Sequence, residues 1–203
     1  MLWNASLADA GLSVFHVNEF EQFRKSNQEK ASILIDKLTA ITLAYVRPVI
    51  AFGNQAIFYF REARVPSNIS TRRHALDFAA QWCFEHIAIR EMDHDRIHVV
   101  FAKTPQYSGR IVELFEAVKE KHPAGNRLVD IVPNHTPEND KRLQVADLII
   151  SGFMKGWKRR ENTGQWYDKF VREIYHNSGA RGDWRYFSYA DLVNWTPLLD
   201  EDA

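Results

Sequence analysis

An α/β fold with at least one parallel strand pair is what this sequence predicts, and three observations carry the prediction. Ile97-His98-Val99-Val100-Phe101 is a β-branched and aromatic run of strand length. Ile111, Leu114, Phe115 and Val118 then recur at helical spacing, and a second strand-like run covers 128–132; neighbouring strands joined through a helix run parallel. A hydrophobic fraction of 45% over 203 residues is enough to build one sizeable core with room for a helical appendage.

The elements follow in order. Residues 2–12 read as a short helix, and Ser13-Val14-Phe15-His16 as a short extended piece. A second helix is expected from about Ser26 to Tyr45, with Leu34, Leu38, Ile41 and Tyr45 as its apolar stripe, ended by Pro48. Residues 49–52 and 57–60 form either a strand and a helix start or two short strands. Val65-Pro66-Ser67-Asn68 is loop chemistry, and Ser70 or Thr71 can cap a helix that turns Leu76, Ala79, Ala80, Cys83 and Ile87 inward. After the strand–helix–strand run, 133–140 is a polar loop, 142–158 a strongly apolar helix, and 165–175 an amphipathic helix. Gly179 to Asp183 is a turn, and the aromatic tail 184–199 is expected to pack across the body.

Composition excludes several classes. Acidic and basic residues balance at 26 each, so no global field argues for tight nucleic-acid binding, although local patches stay open. Cys83 is the single cysteine, in an apolar stretch, which fits a buried thiol in a reducing compartment. The longest apolar run, 38–50, is broken by Arg47 and Pro48 and falls short of the roughly 20 residues that span a bilayer. The start of the chain lacks a signal-peptide pattern, so a cytoplasmic location with no membrane partner is expected. No glycine-rich phosphate loop, Gly-x-Ser-x-Gly elbow or Cys-x-x-Cys pair occurs.

The helix at 142–158 carries the most information. At about 100° per residue, Leu143, Ala146, Ile150 and Met154 share one face, which Val145, Ile149 and Phe153 widen. The polar arc of Gln144, Ser151, Lys155 and Lys158 is narrow, and Asp147 lies at its border. A carboxylate beside so much apolar surface needs a partner. It is either bonded to a backbone amide or an arginine, or offered to a cleft as a metal ligand. Gln144 and Asp147, three apart, can face one neighbour.

Leu143-Gln144-Val145-Ala146-Asp147-Leu148-Ile149 closely resembles the Leu-Gln-x-Ala-Asp-Leu signature of the domain of unknown function 3800 family. Trp3 through Glu19 also resembles that family, with Gly11-Leu12 followed by Phe15-His16-x-x-Glu19-Phe20, as does the strand 97–101 with its following helix. The resemblance covers most of residues 1–160. It implies a ribonuclease H-like fold, a mixed sheet flanked by helices, with 161–203 as a helical and aromatic extension on the same core. It also implies a divalent-metal-dependent phosphodiesterase using Mg²⁺ or Mn²⁺ on nucleic acid, with Asp147, Gln144, Glu19 and His16 in the site. Asp147 and Glu19 would be metal ligands, and Gln144 would orient Asp147 or a metal-bound water.

The chain departs from that pattern. It begins at the Trp helix, without the family's initial strand bearing Asp-Glu-Ser-Gly; Ala102-Lys103-Thr104 holds no acid; and the loop 134–140 lacks the family's Asp-Ser. Ions held roughly 4 Å apart need about three or four carboxylates. Hence the alternative expectation is a catalytically degenerate member acting as a binding or assembly module, or a reading frame that starts upstream of Met1. Missing strands would leave a sheet edge open to pairing, which favours a homo-oligomer.

Other candidates have plainer readings beside functional ones. His16 and Glu19 are a cleft pair, with His16 as metal ligand or proton carrier, or have an N-capping or surface role. Asp130 is an outward strand residue, and Asp93-His94-Asp95 a solvated turn with metal-ligand residue types. His135 and Glu138 either close over a site or belong to a mobile loop. Lys155, Lys158, Arg159 and Arg160 complement a helix C-terminus or contact phosphate.

Overall fold

A computed structural model describes residues 2–46, 49–53, 71–90, 96–102, 107–136, 138–158, 166–177, 183–187 and 198–199. In order these form α1 (Leu2–Ala10), α2 (Val17–Ser26), α3 (Gln28–Tyr45), β1 (Val49–Gly53), α4 (Thr71–Arg90), β2 (Ile97–Ala102), α5 (Ser108–Lys121), β3 (Leu128–His135), α6 (Lys141–Lys158), α7 (Trp166–Asn177) and β4 (Asp183–Phe187). The fold is α/β and mostly helical. Among the described residues the strands form two two-stranded sheets, β1 with β4 and β2 with β3. The β2–α5–β3 crossover gives the parallel pair that the sequence predicts. Among the described residues no helix is long and apolar enough to cross a membrane. Residues 57–60, Asp93-His94-Asp95, Arg159, Arg160, 179–182 and most of the tail lie outside the described residues.

Contacts divide the chain into two compact units, each drawn from separated stretches. The first unites residues 1–48 with 135–183, and the second 49–134 with 184–203. Residues 161–183 thus belong with the first unit and 184–203 with the second.

The first unit is helical. Its core is a chain of rings: Trp3 meets Phe15 edge-on at 6.3 Å, Phe15 meets Phe20 at 5.5 Å, Phe20 meets Trp166 edge-on at 5.6 Å, and Trp166 meets Phe170 at 6.0 Å. Leu34, Leu38, Leu148 and Ile174 pack in the same unit, all buried. Helix α2 was not expected as a separate element. Glu19 in its first turn and Arg24 and Lys25 in its last complement the helix dipole. Asn27 separates it from α3, its N–H returning to the Phe23 carbonyl at 3.0 Å. Gly152 is where α6 and α7 approach closely, since a Cβ there would lie 2.6 Å from the buried Phe170 ring.

The second unit packs α4, α5 and β3 around Phe84, Ala88, Ile111, Leu114, Phe115, Val118 and Leu128. Buried Asp77 ties α4 to the start of α5. Tyr107 donates its hydroxyl to Asp77 Oδ1 at 2.6 Å, and Arg110 donates from Nε and Nη2 to Oδ2 at 3.2 Å. Asp130 faces outward as expected and pairs with His98 across the strands at 2.8 Å. Cys83 is half-buried and forms no disulfide among the described residues.

Three helix faces are turned from the expected phase. In α3, Tyr45 is 74% exposed, whereas Thr39 and Thr42 are buried. Their hydroxyls bond the carbonyls of Ile35 and Leu38, four residues back, at 2.7 and 2.8 Å. In α4, Leu76 is exposed, and the inner face is Asp77, Gln81, Phe84 and Ala88. In α6, Ala146, Ile150 and Met154 face out while Gln144 is buried. Each time a polar group with an internal partner goes in and an apolar one comes out. The polar loop expected at 133–140 is also shorter than thought, since β3 runs through Pro133 to His135.

Candidate functional site

Helix α6 starts at Asp140, which caps it by accepting the Arg142 N–H on Oδ1 at 2.9 Å. The Arg142 guanidinium also bonds this buried carboxylate and holds its pKa down to about 2 against the opposing effect of burial. From that anchored end the side chains Gln144, Asp147, Ser151 and Lys155 follow at spacings of three and four, so they line one face. This is the polar arc of the sequence together with its border residue. It is only partly exposed, with Gln144 buried, and it grips the N-terminal third of the first unit.

Gln144, 2% exposed, accepts two hydrogen bonds on Oε1. One comes from the Trp3 indole N–H at 2.9 Å and one from the Phe15 backbone N–H at 3.0 Å. Asp147 lies one turn on. Its Oδ2 accepts the Val17 N–H at 3.1 Å, and its Oδ1 accepts the Ser151 hydroxyl at 3.0 Å. Val17 opens α2, and the preceding His16 is extended (φ −125°, ψ 131°) with no side-chain cap of its own. Asp147 therefore supplies, from another helix, an acceptor for the first of the N–H groups that a helix start leaves without an intrahelical partner, placing negative charge at the positive end of the α2 dipole.

His16 lies between two acids. Its Nδ1 is 3.9 Å from Asp147 Oδ2, and its Nε2 is 3.1 Å from Glu138 Oε1. Bonds from Thr136, from its own backbone and from His16 hold the Glu138 carboxyl down to about 2. Glu138 thus meets His16 from the loop before α6. His135, its companion there, instead approaches Asp140 at 3.6 Å.

Of the residues singled out by sequence, Gln144, Asp147 and His16 come together. Glu19 stands exposed on the first turn of α2, with no bond or ion pair to another described residue. Among the described residues no group of three or more His, Cys, Asp or Glu side chains is placed to hold a metal ion. Mg²⁺ and Mn²⁺ are hard ions that take about six oxygen ligands. The described donors here are two carboxylates, Asp147 bonded on both oxygens and Glu138 bonded to His16, with an imidazole and a hydroxyl, and that set falls short of such an ion.

Sequence reasoning missed Glu21. Its Oε1 accepts Lys155 Nζ at 2.7 Å and the Trp166 indole N–H at 2.8 Å, and its Oε2 accepts Arg24 Nε at 3.1 Å. Burial raises its pKa, but these three bonds outweigh burial and bring it down to about 2. Lys155 also lies 5.8 Å from the Trp166 ring centre, within cation–π range. So Lys155, read from sequence as part of a basic helix end, serves a carboxylate within its own unit. Nothing around Glu21 in the sequence marks it. Only the spacing of Lys155 from Ser151 and Gln144 hinted at a common face.

Compared with family models, with curated proteins and with solved structures, the chain matches none of them.

Proposed function

We propose that this chain is a ribonuclease H-like protein, similar to the domain of unknown function 3800 family, that has kept the Gln144/Asp147 signature for architecture and acts as a binding or assembly module. One observation carries the reading: each oxygen of Asp147 accepts a hydrogen bond from the chain's own donors, the Val17 N–H and the Ser151 hydroxyl. A carboxylate spent on a helix start is a poor candidate for the centre of a phosphodiester-cleaving ion pair. Assembly would use a strand edge, because among the described residues each strand pairs on one side alone.

A second reading is favoured by one feature. Asp147 keeps 30% of its side-chain surface and stands with His16 and Glu138 in an acid–imidazole–acid row reachable from solvent. With further carboxylates supplied, that row is the remnant of a Mg²⁺- or Mn²⁺-dependent nuclease site.

Cleavage assays on RNA, DNA and hybrid with Mg²⁺ or Mn²⁺, run on the wild type and on Asp147→Asn, separate the two. The module reading expects no cleavage above background in either protein and no saturable Mn²⁺ binding by calorimetry. Metal-dependent cleavage that disappears in a folded Asp147→Asn protein would overturn it in favour of the nuclease.

A further inference from the structure

We propose that the cleft between α2, α3 and α7 is a binding site for a small planar aromatic anion of the size and chemistry of a nucleoside monophosphate. The inference is independent of any role for Asp147. The cleft has a volume of about 300 Å³, at the lower end of the roughly 300–1,000 Å³ typical of small-molecule sites. Its aromatic wall is the half-buried Trp166, backed by Phe20, which is 1% exposed, and its polar lining includes Arg24, Ser32, Asp36 and Lys169.

The aromatic wall is held in place before any ligand arrives. Trp166 is fixed at its indole N–H by Glu21 and at its ring by the edge-on contact with Phe20. A pre-set aromatic surface lowers the ordering cost of binding a flat ring.

Two of the three charged residues lining the cleft are cations. Lys169 is paired with Asp36 at 2.7 Å, but the two side chains are 58% and 50% exposed, and its second acid, Glu173, stands 3.9 Å away. Pairs this exposed are held weakly, so a phosphate can take over the ammonium. Arg24 uses Nε and Nη2 on a single oxygen of Glu21, and its remaining terminal nitrogen bonds no described residue. That leaves a guanidinium edge for an anionic oxygen, the interaction in which arginine excels. An aromatic wall beside two cations suits a ring and an anion carried by one molecule.

Calorimetric titration of the whole chain with AMP, adenosine and inorganic phosphate tests the proposal. AMP is expected to saturate with a Kd of about 1 mM or tighter, and adenosine and phosphate to bind at least about tenfold more weakly. Ser32 is exposed on the rim, so Ser32→Trp fills the cleft without touching the core and is expected to abolish AMP binding. Lys169→Met is expected to weaken AMP about tenfold and leave adenosine unchanged. Thermal melts confirm that both variants are folded. Failure of AMP to saturate, undiminished binding in folded Ser32→Trp, or phosphate binding as tightly as AMP would each overturn the assignment.

Discussion

Gln144 and Trp3 are joined by a hydrogen bond of 2.9 Å across 141 positions of sequence, and the oxygen that accepts it also accepts the Phe15 amide. One side-chain atom thus serves two buried donors. Gln144→Ala strands both, and an unsatisfied buried donor costs about 1–3 kcal/mol. Gln144→Ala is expected to lower unfolding stability by about 3 kcal/mol, and Trp3→Phe, which removes the donor itself, by less than half of that. Urea melts of the two variants and their combination check both figures.

Asp147 acts as a cap, so the acceptor matters more than the charge. Asp147→Asn keeps an oxygen for the Val17 N–H and is expected to cost under about 1 kcal/mol, whereas Asp147→Ala loses about 1–2 kcal/mol. Hydrogen exchange at the first turn of α2 reports the difference locally. Equal losses in the two variants would show that capping is not its role.

Glu21 sets a pH dependence. Its folded pKa of about 2 lies below the ordinary 4.5, so the stability it confers is fully present above pH 4.5 and is lost as pH falls toward 2. With its side chain 21% exposed, solvent screening leaves about 1–3 kcal/mol of that contribution. The stability gap between wild type and Glu21→Gln is expected to be constant from pH 5 to 7 and to close by about pH 2. A gap that widens on acidification would contradict the assignment.

Asp77 is a buried anion with two buried partners. Asp77→Ala takes the nearer carboxylate from buried Arg110, which keeps Glu113 at 3.6 Å, at an expected cost of about 3 kcal/mol. Tyr107→Phe, which removes one donor alone, is expected to cost about 1–2 kcal/mol. Chemical denaturation of the two variants gives the ratio.

Gly152→Ala tests the α6–α7 approach. Alanine favours the helix by about 1 kcal/mol, but its methyl meets Phe170 in a packed core, where overpacking costs about 1–3 kcal/mol. A net loss is expected, and a raised melting temperature would show that the ring yields.

The period of each long helix was legible in the sequence, and the phase often was not. The spacing around Leu34, Ile111 and Phe170 placed α3, α5 and α7 near their limits, and the β-branched run at Ile97 placed β2. In α4 and α6 the inward direction depends on Asp77, Gln81 and Gln144. Polarity alone assigns these residues to the outside, whereas partners remote in sequence, such as Tyr107 and Trp3, hold Asp77 and Gln144 inside. The same distance effect governs the site. Gln144 and Asp147 were visible as a pair, but their engagement by Phe15 and Val17 was not, since those donors are backbone amides that carry no residue signature. Glu19, singled out through the resemblance and beside His16, faces solvent instead.

The interleaved composition of the two units dictates an order of events during synthesis on the ribosome. Helices α1 to α3 leave the exit tunnel able to pack on one another, but the Phe20 ring lacks its Trp166 neighbour until α7, which begins at residue 166, follows. Meanwhile 71–135, which holds α4, β2, α5 and β3 in one continuous stretch, can close around its own apolar residues. The middle of this protein can therefore complete its packing before its beginning does, and until then the nascent N-terminal segment keeps apolar surface open to chaperones or to a neighbouring copy.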